Sequence, residues 1–333
     1  MDLTPSAEQL EIIESSRSFL RNRLPITRIR ALLETEEKVD PAIWCEAADL
    51  GWFTIGLPEE FGGVGFGLAD EALLLREIGR SLAPGPFVST LLAARVAAFA
   101  GNTDIYAEIV SGRQRVGLVI AGASGDVAQL VDADQNWALV ISDSQASIID
   151  ISNLPDIRSV TCVDPTTTLR RATIDAAPVL ACVSAVVDPI QRRARVLVAA
   201  ILTGIAEAVR DLAANHAINR FQFDKPIGVN QAVKHPCANM AVRAELSYAQ
   251  MVFAAVAADE GRSDADFHAL SAFLVAVQAA ITGGDATVQV MGGMGFTFEH
   301  DTHLYVKRTM VLSRLLDGVS VSYEKMLAMD PAN

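Results

Sequence analysis

Residues 267–284 run for eighteen positions without an Asp, Glu, Lys or Arg. A stretch of that length and apolarity belongs either in the hydrocarbon of a bilayer or in the middle of a protein core. His268, Ser271, Gln278 and Thr282 recur through it, and Asp264, Asp266 and Asp285 bracket it. Those polar residues favour a buried helix of a soluble bundle, so no membrane span is expected. A buried helix needs apolar neighbours of its own length, and 189–219 and 231–260 supply them. Together with 264–291 they predict three long antiparallel helices, followed by a shorter one or two after Thr302. Apolar faces on several sides of these helices call for burial against another subunit as well. The 51% hydrophobic composition fits extensive packing of this kind.

Upstream, the helix punctuation is explicit. Thr4-Pro5, Asp40-Pro41 and Asp188-Pro189 each place an N-cap residue before a proline at the first helical position. Gly51, Gly112 and Gly261 stand where helices stop. The first 112 residues read as roughly five helices, interrupted by the loop 57–63 and the turn Pro84-Gly85-Pro86. After Gly112 the pattern changes. Residues 116–121, 137–142, 147–151 and 169–174 are short, rich in β-branched residues and separated by turn formers. They predict a small antiparallel sheet or barrel. The expected fold is mainly α with a β insert (α+β): an N-terminal helical domain (1–113), a reduced middle β domain (114–187) and a C-terminal antiparallel helix bundle (188–333).

Forty acidic residues against 27 basic ones leave a net charge of −13, which argues against nucleic acid as a partner. Cys45, Cys162, Cys182 and Cys237 form no CxxC pair, and read as reduced thiols of a cytoplasmic protein. The opening Met-Asp-Leu-Thr-Pro-Ser-Ala-Glu lacks the basic and apolar regions of a signal peptide. His300 and His303 have no third ligand nearby; a surface or interface pair is expected, and no metal site. Gly63-Val64-Gly65 follows no strand and reads as a turn rather than a nucleotide loop.

Other segments carry a resemblance. Arg220-Phe221-Gln222-Phe223-Asp224-Lys225-Pro226-Ile227-Gly228, followed by Gln231 and His235 to Met240, resembles the RxxFGxPI…Q…H…ADM segment of the acyl-CoA dehydrogenase family. Gln289-Val290-Met291-Gly292-Gly293-Met294-Gly295-Phe296 is similar to its Q-x-x-GG-x-G-[FY] block. Leu57-Pro58-Glu59-Glu60-Phe61-Gly62-Gly63, with Glu77-Ile78-Gly79-Arg80, resembles its LPEExGG…EExGR signature. The resemblance implies an oligomeric flavoprotein that removes the α- and β-hydrogens of an acyl-CoA thioester and passes electrons to an electron-transferring flavoprotein. It places Arg220, Phe223, Gln231, Gln289, Gly292 and Gly293 along FAD, largely that of a neighbouring subunit.

Two departures stand out. The family's TEP-containing strand and loop is replaced by residues 119–126, and the β region is short. The catalytic glutamate is also missing. Its C-terminal position holds Asp317, one methylene shorter, and its position in the first bundle helix falls on Ala194; Glu299 and Glu207 are further carboxylates. Two functions follow from the resemblance. One is an FAD-dependent acyl-CoA dehydrogenase with Asp317 as base. The alternative is a non-catalytic subunit completing the FAD site of a homologous partner in a heterotetramer, a form found among short family members that act on bulky, steroid-like CoA esters.

Overall fold

The computed structural model describes residues 3–120 and 127–329. Six α-helices come first: α1 (Ala7–Arg23), α2 (Ile26–Leu33), α3 (Pro41–Asp49), α4 (Leu68–Ser81), α5 (Phe87–Phe99) and α6 (Thr103–Val110). Helix α3 starts and stops where the punctuation predicts. Asp40 accepts hydrogen bonds from the Ala42 and Ile43 N–H groups, and Gly51 follows the last turn at φ 78°. Two caps differ from expectation. Helix α1 is capped by Ser6, whose hydroxyl and the Gln9 amide form a reciprocal capping box two residues past Thr4. Asp188 does not cap the helix after it, because its carboxylate is paired with Arg95.

The middle of the chain forms one seven-stranded sheet: β1 (Val116–Ile120), β2 (Ala128–Val131), β3 (Trp137–Ile141), β4 (Gln145–Asp150), β5 (Arg158–Val160), β6 (Leu169–Ala172) and β7 (Val179–Ser184). The order is β5-β6-β2-β1-β3-β4-β7. The sheet is mixed rather than antiparallel throughout, because β1 and β3 pair in parallel. The chain reverses from β1 to β2 and again from β2 to β3, and β3 docks beside β1 instead of β2, which puts two strands of the same direction together. Strands β2 and β5 are too short to show an alternating pattern, and β7 is rich in small residues. Helix α5 anchors the sheet: the Ser89 hydroxyl donates to the Val116 carbonyl (2.6 Å), and the Val116 N–H donates to Thr90 (3.1 Å).

The chain then forms α7 (Ile190–Asn219), a hairpin of β8 (Phe221–Gln222) and β9 (Lys225–Pro226), α8 (Gln231–Asp259), α9 (Ala265–Met291), α10 (Thr302–Leu312) and α11 (Gly318–Leu327). The three long helices lie within two residues of their expected bounds. Helix α9 is long and apolar enough to cross a membrane, but 61% of its most apolar window is buried inside the protein. Helix α7 is the centre of the molecule. Gly79 of α4 and Gly204 of α7 let the two backbones touch: a Cβ on Gly204 would sit 2.0 Å from the Arg76 carbonyl oxygen, and one on Gly79 2.1 Å from that of Ile201. Buried ion pairs bracket this crossing, with Glu207 held by Arg76 and Arg80, and Glu71 by Arg193 at 2.7 Å.

One half-buried carboxyl predicts a pH dependence of stability. Asp132, at the end of β2, accepts the Thr168 N–H (2.9 Å), and burial pushes its pKa up to about 7. The folded state therefore holds this proton more tightly than the unfolded chain. The stability it contributes is complete below the unfolded value of 3.8 and is lost as pH rises to about 7. Denaturant titrations should show that Asp132→Asn reduces the loss of stability between pH 5 and pH 8. An unchanged difference between the two pH values would remove Asp132 as its source.

Candidate functional site

The hairpin between α7 and α8 turns at Phe223 (φ 51°) and Asp224 (φ 60°). Positive φ at both central residues is what a two-residue hairpin of this twist requires. Here an aromatic residue and an aspartate adopt it, at a cost of about 1–2 kcal/mol each. The Ile227 N–H donates to the Arg220 carbonyl (2.9 Å), folding the hairpin onto the end of α7. Phe223 is 97% exposed at its tip. Helix α8 runs back along α7 and α9 returns beside both, with Thr287 donating to the Val209 carbonyl (3.0 Å). Up-down-up topology therefore gathers Arg220, Phe223, Gln231, Gln289, Gly292 and Gly293 at one end of the bundle, all of them exposed.

This cluster faces outward chemically as well. The Arg220 guanidinium and the Gln231 and Gln289 amides make no hydrogen bond to another described residue. Gly292 has φ 60°, and the space over both Gly292 and Gly293 is open. A guanidinium, two amides and an unobstructed backbone make a donor set that fits a dinucleotide pyrophosphate and its ribose. Phe221, Phe296 and Phe298 add exposed aromatic surface at the same end.

Asp317 lies elsewhere. It precedes α11, and its carboxylate accepts hydrogen bonds from Arg195 (2.9 Å), Lys325 (2.8 Å) and Gln191 (3.4 Å). Lys325 also donates to Asp143 in the β3–β4 turn (2.6 Å). Ala194, the second family position for the base, is fully buried beside Arg195. The two base positions thus converge, but on an ion-pair cluster flanking a cleft of about 440 Å³ between the sheet and the start of α7. Arg195 and Arg220 both belong to the α7 rod, 25 residues apart, so the cleft and the exposed cluster are separated by about 37 Å along it.

Glu207 and Glu299 do not line the cleft. Glu207 is locked between Arg76 and Arg80, and Glu299 is exposed, its carbonyl receiving Arg30. The histidine pair is not a plain surface pair. Both ring nitrogens of His303 are buried without a hydrogen bond, its ring packs edge-on against Phe298 at 5.0 Å, and burial holds its pKa below the usual range. Among the described residues no group of three or more His, Cys, Asp or Glu could hold a metal ion. Most of the segment replacing the family's TEP loop, residues 121–126, lies outside the described residues. Sequence reasoning missed Arg195 and Lys325. The available signal was that Arg195 adjoins Ala194, the position already marked as a lost base.

A helical N-terminal part, a sheet and a helical bundle, in that order, make an acyl-CoA dehydrogenase fold. The chain belongs to the acyl-CoA dehydrogenase family: residues 6–110 match its N-terminal domain and residues 191–321 its C-terminal domain. It is 30% identical to the acyl-CoA dehydrogenase IpdE2 of Mycobacterium tuberculosis over 324 residues, covering 95% of each chain. It is also 30% identical to FadE34 of the same organism, over 87% of this chain, but spans only 42% of that longer protein. Among solved structures, the Tcur3481-Tcur3483 steroid ACAD superposes with a TM-score of 0.82 at 25% identity, covering 97% of both chains. The ChsE4-ChsE5 complex from Mycobacterium tuberculosis superposes at 0.87, with 21% identity over the whole of both chains.

Proposed function

We propose that this chain is one subunit of a hetero-oligomeric, FAD-dependent acyl-CoA dehydrogenase, and that its part in the reaction is a cofactor half-site. The observation that carries this reading is the separation along α7 of the exposed Arg220 cluster from the ion-paired Asp317. The cluster has unused donors and faces out of the chain, so it serves a flavin whose other half is held by a homologous partner. Arg220 would neutralise the pyrophosphate, Gln231 and Gln289 would reach the ribose and adenine end, and Gly292 and Gly293 would admit the dinucleotide closely. Phe223 would cover it from the hairpin tip. Bound FAD would supply the electron acceptor for α,β-dehydrogenation of the thioester, with an electron-transferring flavoprotein as the next acceptor.

A catalytic base must reach the substrate α-carbon with a free carboxylate. Asp317 is engaged by two cations and an amide, and its role is to hold α7 to α11. The base of the assembly then lies on the partner chain. A steroid-like acyl-CoA is the favoured substrate class, supported by the likeness to the steroid ACAD pair. The free cysteines support a cytoplasmic setting. The test is single-turnover flavin bleaching by acyl-CoA in the complex, with Asp317→Asn in this chain. Bleaching within about twofold of the parent is expected. Loss of a positioned base would instead cost about 10²–10⁴ in rate, and a fall of that size would make Asp317 catalytic.

A further inference from the structure

We propose that Arg30 is a positioning residue for the flavin half-site, reaching from α2 to fix the loop 297–301 that follows the Gly292–Gly293 pair. This rests on the Arg220 cluster being that half-site. The Arg30 guanidinium donates to the loop alone: Nε to the Asp301 carboxylate (2.6 Å), and Nη2 to the carbonyls of Phe298 (2.9 Å) and Glu299 (3.0 Å). Arg30 and Phe298 are 268 residues apart in the chain. Among the described residues, no other hydrogen bond reaches the loop from outside residues 288–304. Asp301 precedes α10 yet does not cap it, because its carboxylate is turned to Arg30.

The loop needs such a tie. It follows Gly292, Gly293 and Gly295, and glycine backbone is the costliest to order. Phe298 is 72% exposed, yet its ring is fixed: His303 packs edge-on against it at 5.0 Å, and the Lys307 ammonium lies over it at 4.8 Å. Arg30 holds the same residue by its carbonyl. The loop also borders the Arg220 end of α7. His216 lies one helical turn before Arg220 on the same face, and burial, Arg220 and His300 of the loop together hold its imidazole below the usual range. Asp301 neutralises Arg30, so Arg30 acts on the site through geometry and not as a further charge for the pyrophosphate. A loop ordered before flavin arrives removes an ordering cost from binding.

Two measurements test this. Amide hydrogen exchange on the isolated full chain reads the loop without flavin, and equilibrium dialysis of FAD against the complex with a homologous partner reads the site. Arg30→Ala should speed exchange at residues 297–301 and weaken FAD binding about tenfold. Arg30→Lys keeps a cation for Asp301 but lacks the planar fork, and should restore part of the affinity. Phe298→Ala should weaken binding too, and adding it to Arg30→Ala should cost less than the sum, because both act through one loop. Asp301→Asn loosens the same tie from the loop side, and replaces Arg30→Ala if that variant does not fold. Unchanged loop exchange, FAD affinity equal to the parent's, or fully additive losses overturn the proposal. Arg220→Ala, measured alongside, separates the two claims. A loss with Arg220→Ala alone rejects only the role of Arg30, and no loss with either variant rejects the half-site as well.

Discussion

Gly204→Ala is expected to destabilise the protein by about 3 kcal/mol, the upper end of what overpacking of a well-packed core costs. In an isolated helix the same change would be favourable by roughly 0.5–1 kcal/mol, so the sign reports on packing alone. The added Cβ would lie 2.0 Å from the Arg76 carbonyl oxygen and 2.8 Å from the Arg80 nitrogen. Both are backbone atoms of α4 that no rotamer change can move. Relief requires prising α4 from α7, which would stretch the Glu207 and Glu71 ion pairs beside the crossing. A shift in urea midpoint at constant slope is the measurement. A midpoint equal to or above the parent's would mean that the helices are not in backbone contact.

The same crossing shows how much of the fold the sequence carried. Gly79 was visible as part of an EExGR-like signature, but its partner Gly204 sits in an alanine-rich run with nothing to distinguish it. The bundle was legible because proline, aspartate and glycine mark its helix ends and because charge-free length leaves few alternatives. The sheet was less so. Strands of three and four residues leave no period to read, and the parallel β1–β3 pairing depends on which edge a later strand chooses. At the site, the exposed cluster could be anticipated because its residues sit close together in two motifs. The cluster around Asp317 could not, since Arg195, Asp143 and Lys325 come from three distant parts of the chain and only folding brings them together.

Arg220→Ala should lower FAD retention in the assembled enzyme by about tenfold to a hundredfold, the equivalent of one charge-assisted hydrogen bond of roughly 1.5–3 kcal/mol. The residue is exposed at the end of α7 and its guanidinium makes no hydrogen bond to another described residue, so truncating the side chain should leave the subunit's own stability within about 0.5 kcal/mol. That split separates a cofactor ligand from a structural arginine. Equilibrium dialysis of flavin against the parent and variant complexes gives the affinity, and thermal unfolding of the isolated subunit gives the control. Equal flavin affinity would remove Arg220 from the cofactor site.

The central claim is that this chain holds half of a flavin site and that a homologous chain holds the rest. It is tested most directly by the flavin absorbance of the protein purified alone and after co-expression with such a partner. The account predicts a colourless chain on its own and a yellow complex with the partner. Stoichiometric FAD on the isolated chain, with turnover of an acyl-CoA by that chain alone, would contradict it.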